Sequence, residues 1–293
     1  MKIEKMLKRY RVEHGKQFRL KDHDPADTHG LDSEIKPRAK ELLASGVEEL
    51  SRLQDILSAQ DLWGLLVILQ AMDAAGKDST IKHVMSGVNP QGVHVTSFKQ
   101  PTQQELQHGY LWRTNQYAPA RGTIGIFNRS YYEEVLVVRV HPEVLANEKL
   151  PKELVTKHIW QERYEDINNF ERYLTRNGIA VVKFFLHVSK EEQKRRFLER
   201  LDKPEKNWKF SAADVRERQC WDDYQQAYED AIRYTASEHA PWYVVPADHK
   251  WFSRLVVAQV LVDELKDLDL KYPKISGEQK KALQEARQQL ETE

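Results

Sequence analysis

The chain has 293 residues, 40% of them apolar and 31% charged, which suits a soluble globular protein with one large domain. Forty-five basic residues cancel forty-five acidic ones, so no global field attracts nucleic acid, and any polyanion site must come from local clustering. The single cysteine, Cys220, excludes an internal disulfide framework and a shared thiolate metal site, and reads as a packing residue in a reducing compartment.

The N-terminal MKIEKMLKRY lacks the unbroken apolar core of a signal peptide, and the longest apolar run, near Leu65 to Leu69, is too short for a bilayer. A cytoplasmic protein with no membrane partner is the expectation. Residues 1–36 mix charge with HDPADTHG and read as an irregular arm. From Pro37 to Leu57 apolar residues return at helical spacing through Leu42, Leu43, Val47, Leu50, Leu53, Ile56 and Leu57. Five short apolar runs follow, at Leu65 to Leu69, Val93 to Phe98, Thr123 to Phe127, Ala180 to Val188 and Trp242 to Val245, with helical stretches between them. That alternation predicts crossover connections and a three-layer α/β sandwich around a mostly parallel five-stranded sheet. Ligands gather at the carboxyl ends of such strands, so the loops after Leu69, Phe98 and Phe127 are the ones to read. After Val188 comes a basic segment, about 189–215. Helices from about Ala212 to Ser237 and Trp251 to Leu268 follow, then a charged amphipathic helix over 278–293.

The first of those loops is MDAAGKDST. A strand that turns into a helix aims the helix's free amides at whatever sits above the turn, and such amides bind phosphate oxygens. Ala74, Ala75 and Gly76 let the backbone approach; Lys77 adds a mobile positive charge; Asp78, Ser79 and Lys82 follow on the same helix. The usual phosphate-loop pattern has Gly where this chain has Ala71, and Ser or Thr where it has Asp78. The stretch also reads as a plain helix start capped by Asp78 or Ser79. Asp73 is the unusual residue. A carboxylate beside bound phosphates repels them unless a cation sits between, which implies magnesium, or a proton to be taken.

A second stretch, RGTIGIFNRSYYEE, repeats the architecture. Where phosphate-loop kinases commonly place an acid for the metal, it has Asn128, a neutral oxygen donor. Arg129 and Arg121 can grip phosphate oxygens in a fork. Glu133 and Glu134 lie either at the site or as acids suited to a helix's first turn. Tyr110, Trp112 and Tyr117 read as core or rim aromatics. In the basic segment, Lys190 and Lys194 fit a solvated helix face beside Glu191 and Glu192. Arg196, Arg200, Lys206 and Lys209 fit a lid closing over a highly charged donor.

With these pieces in place, the chain resembles the type 2 polyphosphate kinase family. The resemblance rests on MDAAGKDSTIKHVMSGVNPQG (72–92), GTIGIFNRSYYEEVLVVRVHPE (122–143), QERYEDINNFERYL (161–174) and EEQKRRFLERLDKPEKNWKFS (191–211), and runs from about Tyr10 to Leu268. It implies a phosphate-loop kinase fold like that of thymidylate kinase, magnesium dependence, phosphoryl transfer between inorganic polyphosphate and adenine or guanine nucleotides, and a homodimer or homotetramer. By carry-over, Asp73 and Lys77 belong to the first phosphate loop, Asn128 and Arg129 to the second motif, and Arg121 with the lid arginines to the phosphate clamp. Asp73, Asn128 and Glu133 become the metal's expected neighbours. Much of the family has aspartate at the position of Asn128. Asn-Arg-Ser, aromatic, Tyr, Glu looks like the class III subgroup, which phosphorylates nucleoside mono- and diphosphates, and Glu133 is the residue to connect with monophosphate use. Two other readings stay open on the residues alone: an ATP-dependent kinase of the same fold, and a nucleotide-binding regulator using the loop as a switch.

Overall fold

The structure is a computed structural model that describes residues 7–31, 36–208 and 210–293. Strand β1 is Arg11–Val12, β2 Gly64–Gln70, β3 Val93–Ser97, β4 Ile124–Asn128, β5 Ile179–His187 and β6 Trp242–Pro246. They form one sheet in the order β1-β6-β5-β2-β4-β3. All neighbours are parallel except β1, which pairs antiparallel with β6 through Arg11 opposite Tyr243. The five expected strands are therefore joined by a sixth at the edge. It is two residues long and carries no periodic signal, so it reads as loop in the sequence.

Central β2 is buried along its whole length, because a parallel sheet covered by helices on both faces selects continuous apolar strands. Helix α1 (Lys36–Gln60) packs against α6 (Lys250–Asp267), and so does α2 (Lys77–Val84). Helix α3 (Ile159–Arg176) packs against α5 (Trp221–Thr235). Between α3 and α5 the chain runs through β5 and α4 (Lys190–Asp202). The expected helix from Ala212 to Ser237 is broken: Ala212–Glu217 forms one short helix, Arg218–Cys220 a 3₁₀ turn, and α5 begins at Trp221. The last helix, α7, covers Gly277–Thr292 and buries none of its residues. Among the described residues no helix is long and apolar enough to cross a membrane.

One hydrophobic core runs from Leu7 in the arm to Leu265 in α6. A buried polar group crosses it. Lys183 of β5 is fully buried, donating to Glu171 of α3 and to the Thr235 carbonyl at 2.8 Å. Both Tyr131 and Tyr132 hydroxyls donate to the same Glu171 carboxylate, at 3.0 and 2.8 Å. This cluster ties the chain just after β4 to the helical layer of α3 and α5, and so fixes where the second motif sits.

Candidate active site

Strands β2 and β4 are neighbours, which puts the loops after Gln70 and Asn128 side by side at the carboxyl edge of the sheet. The turn after β2 enters α2 through Gly76, whose φ of 116° is one that side chains rarely adopt. Ala74 at φ 61° and Arg129 at φ 64° are left-handed without being glycine. Such residues cost of order 1–3 kcal/mol each and gather at functional sites. The Arg129 amide donates to the Leu69 carbonyl at 3.0 Å, tying the start of the second loop to the end of β2.

The side chains converge accordingly. Arg129 reaches across both loops, with Nη2 donating to Asp73 Oδ1 at 3.1 Å and Nη1 standing 3.8 Å from Glu133 Oε2. Glu133, with Asp73 adding, holds the guanidinium above its usual pKa against the pull of burial. Lys77 Nζ donates to the Ala71 carbonyl at 2.8 Å, the backbone of the very residue that replaces the usual glycine. Burial and the nearby Arg129 push the Lys77 ammonium below its ordinary pKa, while Asp73, Glu133 and Asp78 pull it up. An incoming phosphate would favour the charged form of both cations. Asn128 turns its amide to Asp78 Oδ1 at 2.8 Å and lies 3.5 Å from Ser97 Oγ. Asp78 thus joins the site instead of serving as a helix cap.

Asp73, Arg129 and Glu133 open into a cavity of about 700 Å³. Its apolar lining includes Val137, Val138, Leu150, Leu154 and Ile159, and Tyr110 forms part of the wall. Arg163 lies over the Tyr110 ring and bridges Glu134 and Glu148, donating to Glu148 Oε2 at 2.5 Å. Burial and the adjacent Glu148 carboxyl push Glu134 up to about 8, opposed by Arg163 and Arg113. Glu134 is therefore a buried wall residue, whereas Glu133 faces Arg129. Asp214, Glu217 and Arg218 close the cavity from the segment after α4.

Several expected clamp residues lie elsewhere. Arg121 precedes β4 and donates to the Asn177 carbonyl just before β5, so it sits at the amino edge of the sheet, about 15–20 Å of strand away from the phosphate loop. Arg196 is buried under the loop and bonds backbone carbonyls. Lys206 pairs with Glu199 at 2.8 Å, as does Lys203, and Arg200 lies 3.9 Å from Asp214 and over the Phe197 ring. Acids inside the basic segment neutralise much of its charge. Glu192 pairs with Arg195 and Arg196, not with the lysines, and Lys190 sits over Trp221. Lys209 lies outside the described residues. Lys82 is exposed on α2, and Ser79 Oγ accepts from Arg254 Nη2 at 2.6 Å.

Arg254, Gln70 and Gln193 are site residues that motif reading passed over. Burial and Arg196 lower the pKa of Arg254, and its Nε is buried without a hydrogen-bond partner among the described residues. Gln70 is fully buried and donates to Glu133 Oε1 at 3.1 Å. Gln70 and Arg254 each interrupt an apolar run, which was the available signal; Gln193, in the charged stretch KEEQKRR, carries none.

The residues present suit a hard cation in one respect. Asp73, Asp78, Glu133 and Asn128 offer only oxygen among plausible ligand atoms, and among the described residues no three His, Cys, Asp or Glu side chains converge to hold an ion alone. Magnesium commonly binds through one or two carboxylates plus substrate phosphates and water, so the sparse set fits it.

The chain is similar to known proteins along most of its length. The family model described as Polyphosphate kinase 2 (PPK2) matches residues 34–273. An "ADP-polyphosphate phosphotransferase" of Rhodopseudomonas palustris is 51% identical over 94% of this chain and 98% of its own length. An "AMP/ADP-polyphosphate phosphotransferase" of Meiothermus ruber is 49% identical over 91% of this chain and 96% of its own. The crystal structure of polyphosphate kinase 2 from Arthrobacter aurescens TC1 superposes with a TM-score of 0.84 at 42% identity, covering 93% of this chain and 94% of that one. Loops that carry Asp73, Lys77 and Arg129 on a parallel sheet, together with likeness along nearly the whole chain, place this protein in the polyphosphate kinase 2 family.

Proposed function

We propose that the chain transfers phosphoryl groups between inorganic polyphosphate and nucleotides, and that AMP and ADP are both acceptors. The observation that carries this reading is the loop's position between two unlike surroundings. On one side is the largely apolar cavity, large enough for a nucleoside, with Asp73, Arg129 and Glu133 at its mouth. On the other, Arg254 touches Ser79 of α2, and burial and Arg196 depress the pKa of both Arg254 and Lys250. A nucleotide suits the first side and a polyanion the second.

In this reading an oxygen of the acceptor phosphate attacks the terminal phosphorus of the polyphosphate chain. The bond to the bridging oxygen breaks, its electron pair leaves with the chain shortened by one unit, and the nucleotide gains one phosphoryl group. Lys77 and the loop amides hold the group in flight, and Arg129 spreads positive charge between it and the acceptor. Asp73, bonded to Arg129, keeps that guanidinium aimed at the acceptor side. Glu133, held by Gln70 and Arg129, lies where a monophosphate acceptor has no second phosphate of its own. Asp73, Glu133 and Asn128, together with substrate phosphates and water, would hold magnesium, which neutralises phosphate charge when bound. The basic segment, about 189–215, serves as the lid, since Asp214 within it and Glu217 and Arg218 just after it line the cavity.

The test is to incubate the purified protein with polyphosphate, magnesium and AMP and to follow ADP and ATP with time. Appearance of ADP and then ATP supports the reading. Activity with ADP but none with AMP removes the monophosphate half, and turnover with ATP as donor but none with polyphosphate would favour an ordinary kinase of the same fold.

A further inference from the structure

Gln193 and Arg196 lie three residues apart on α4, hence on one face of the helix. Both are buried. Gln193 Nε2 donates to the Asp73 carbonyl at 3.0 Å, and Arg196 Nη1 donates to the carbonyls of Ala74 at 3.0 Å and Ala75 at 2.6 Å. One helix face thus holds three consecutive carbonyls of the phosphate loop. The remaining nitrogens of Arg196 are also engaged: Nη2 donates to the Ala247 and Asp248 carbonyls at 2.6 and 3.1 Å, and Nε to Glu192 Oε1 at 2.6 Å. Gln193 is oriented in turn by Arg218, whose Nη1 donates to Gln193 Oε1 at 2.8 Å and to the Lys190 carbonyl at 2.7 Å.

Carbonyls and amides of a tight turn leave it in different directions. Drawing the carbonyls of residues 73–75 toward α4 leaves the amides that begin α2 directed at the site, a concavity suited to an anion. It also accounts for Ala74, whose left-handed φ of 61° is maintained although alanine gains nothing locally from it. We propose that Gln193 and Arg196 are positioning residues for phosphoryl transfer, holding the loop carbonyls of Asp73, Ala74 and Ala75 so that the amides that begin α2 face the transferring phosphate, and that Arg196 itself touches no phosphate. This rests on the reading that residues 73–79 bind the phosphoryl group.

Three variants decide it, assayed with polyphosphate, ADP and magnesium: Gln193→Leu, Arg196→Gln and, for the loop reading itself, Lys77→Met. The expected results are a fall in kcat of about tenfold for Gln193→Leu and about a hundredfold for Arg196→Gln. For both, KM for polyphosphate should stay within about twofold of the parent and the salt dependence of that KM should be unchanged, because no contact with the polyanion is lost. Bound ADP should remain stoichiometric, which separates a slower site from a smaller folded fraction; if Arg196→Gln does not fold, Gln193→Leu carries the test. Unchanged kcat in Gln193→Leu overturns the proposal. So does a raised polyphosphate KM with a shallower salt dependence in Arg196→Gln, since that marks a direct contact. An active Lys77→Met sinks the loop reading and this inference with it, whereas an inactive Lys77→Met beside unaffected Gln193 and Arg196 variants sinks this inference alone.

Discussion

Replacing Asn128 by aspartate changes one atom and reverses one interaction. The Asn128 amide donates to Asp78 Oδ1 at 2.8 Å; in the Asn128→Asp variant two carboxylates face each other at nearly that separation. Two unit charges about 3 Å apart repel by about 1.4 kcal/mol in water and about 5.5 kcal/mol at an effective dielectric of 20. Asp78 is exposed, so the lower figure is the better guide. Adding about 1 kcal/mol for the lost hydrogen bond gives a destabilisation of about 2–3 kcal/mol at neutral pH without metal. For a chain of this size that is a fall of about 4–10 °C in melting temperature. The repulsion raises the folded-state pKa of the carboxyl pair, so the penalty is present at neutral pH and relieved as pH falls and one group takes up a proton. Magnesium should relieve it as well. The assay is thermal melting of parent and variant at pH 7, with chelator and with magnesium, followed by the ratio of AMP to ADP phosphorylation. A variant that melts within 1 °C of the parent in chelator, and that magnesium leaves unchanged, refutes the argument that the Asn128 amide holds the Asp78 carboxylate.

Four further outcomes follow from the same geometry. Lys77→Ala and Asp73→Asn should each lower kcat by about a hundredfold or more with the melting temperature nearly unchanged, and near-parental turnover in either means the phosphoryl group sits elsewhere. Glu133→Ala should depress AMP phosphorylation much more than ADP phosphorylation, measured as a ratio of initial rates; an unmoved ratio assigns acceptor choice to another residue. Lys183→Met should cost about 3–5 kcal/mol in denaturant unfolding because it leaves Glu171 buried without its cation, and Glu171→Gln in the same chain should recover part of that. Since Glu134 is raised from its usual 4.5 to about 8, the folded chain keeps a proton that the unfolded chain releases, so stability should fall as pH rises from about 4.5 to about 8 and then level off. Glu134→Gln should flatten that stretch of the pH curve, and an identical curve in the variant would count against the shift.

Much of the fold was legible because its signals are local and periodic. Apolar runs bounded by turns mark β2, β4, β5 and β6, since strands buried on both faces admit little else, whereas the edge strand β3 (VHVTS) is largely exposed; the Gly-Lys turn after β2 announces a strand-to-helix junction. Residue types in order, MDAAGKDST and then FNRSYYEE, were enough for the family and to single out Asp73, Lys77, Arg129 and Glu133 as candidates. The tertiary structure decided where each long cationic side chain ends. Arg121 and Arg196 look alike in a charge map, yet one lies at the amino edge of the sheet and the other beneath the loop, because a guanidinium some 6–7 Å from its backbone takes its role from whatever oxygens folding brings within reach. Arg196 met four carbonyls and a carboxylate; Arg254, on a helix 175 residues beyond Ser79, met the phosphate loop. Period and composition record which residues are buried and which elements form. Which donor faces which acceptor across the sheet is a property of the packed chain, since it depends on contacts between segments that share no local sequence.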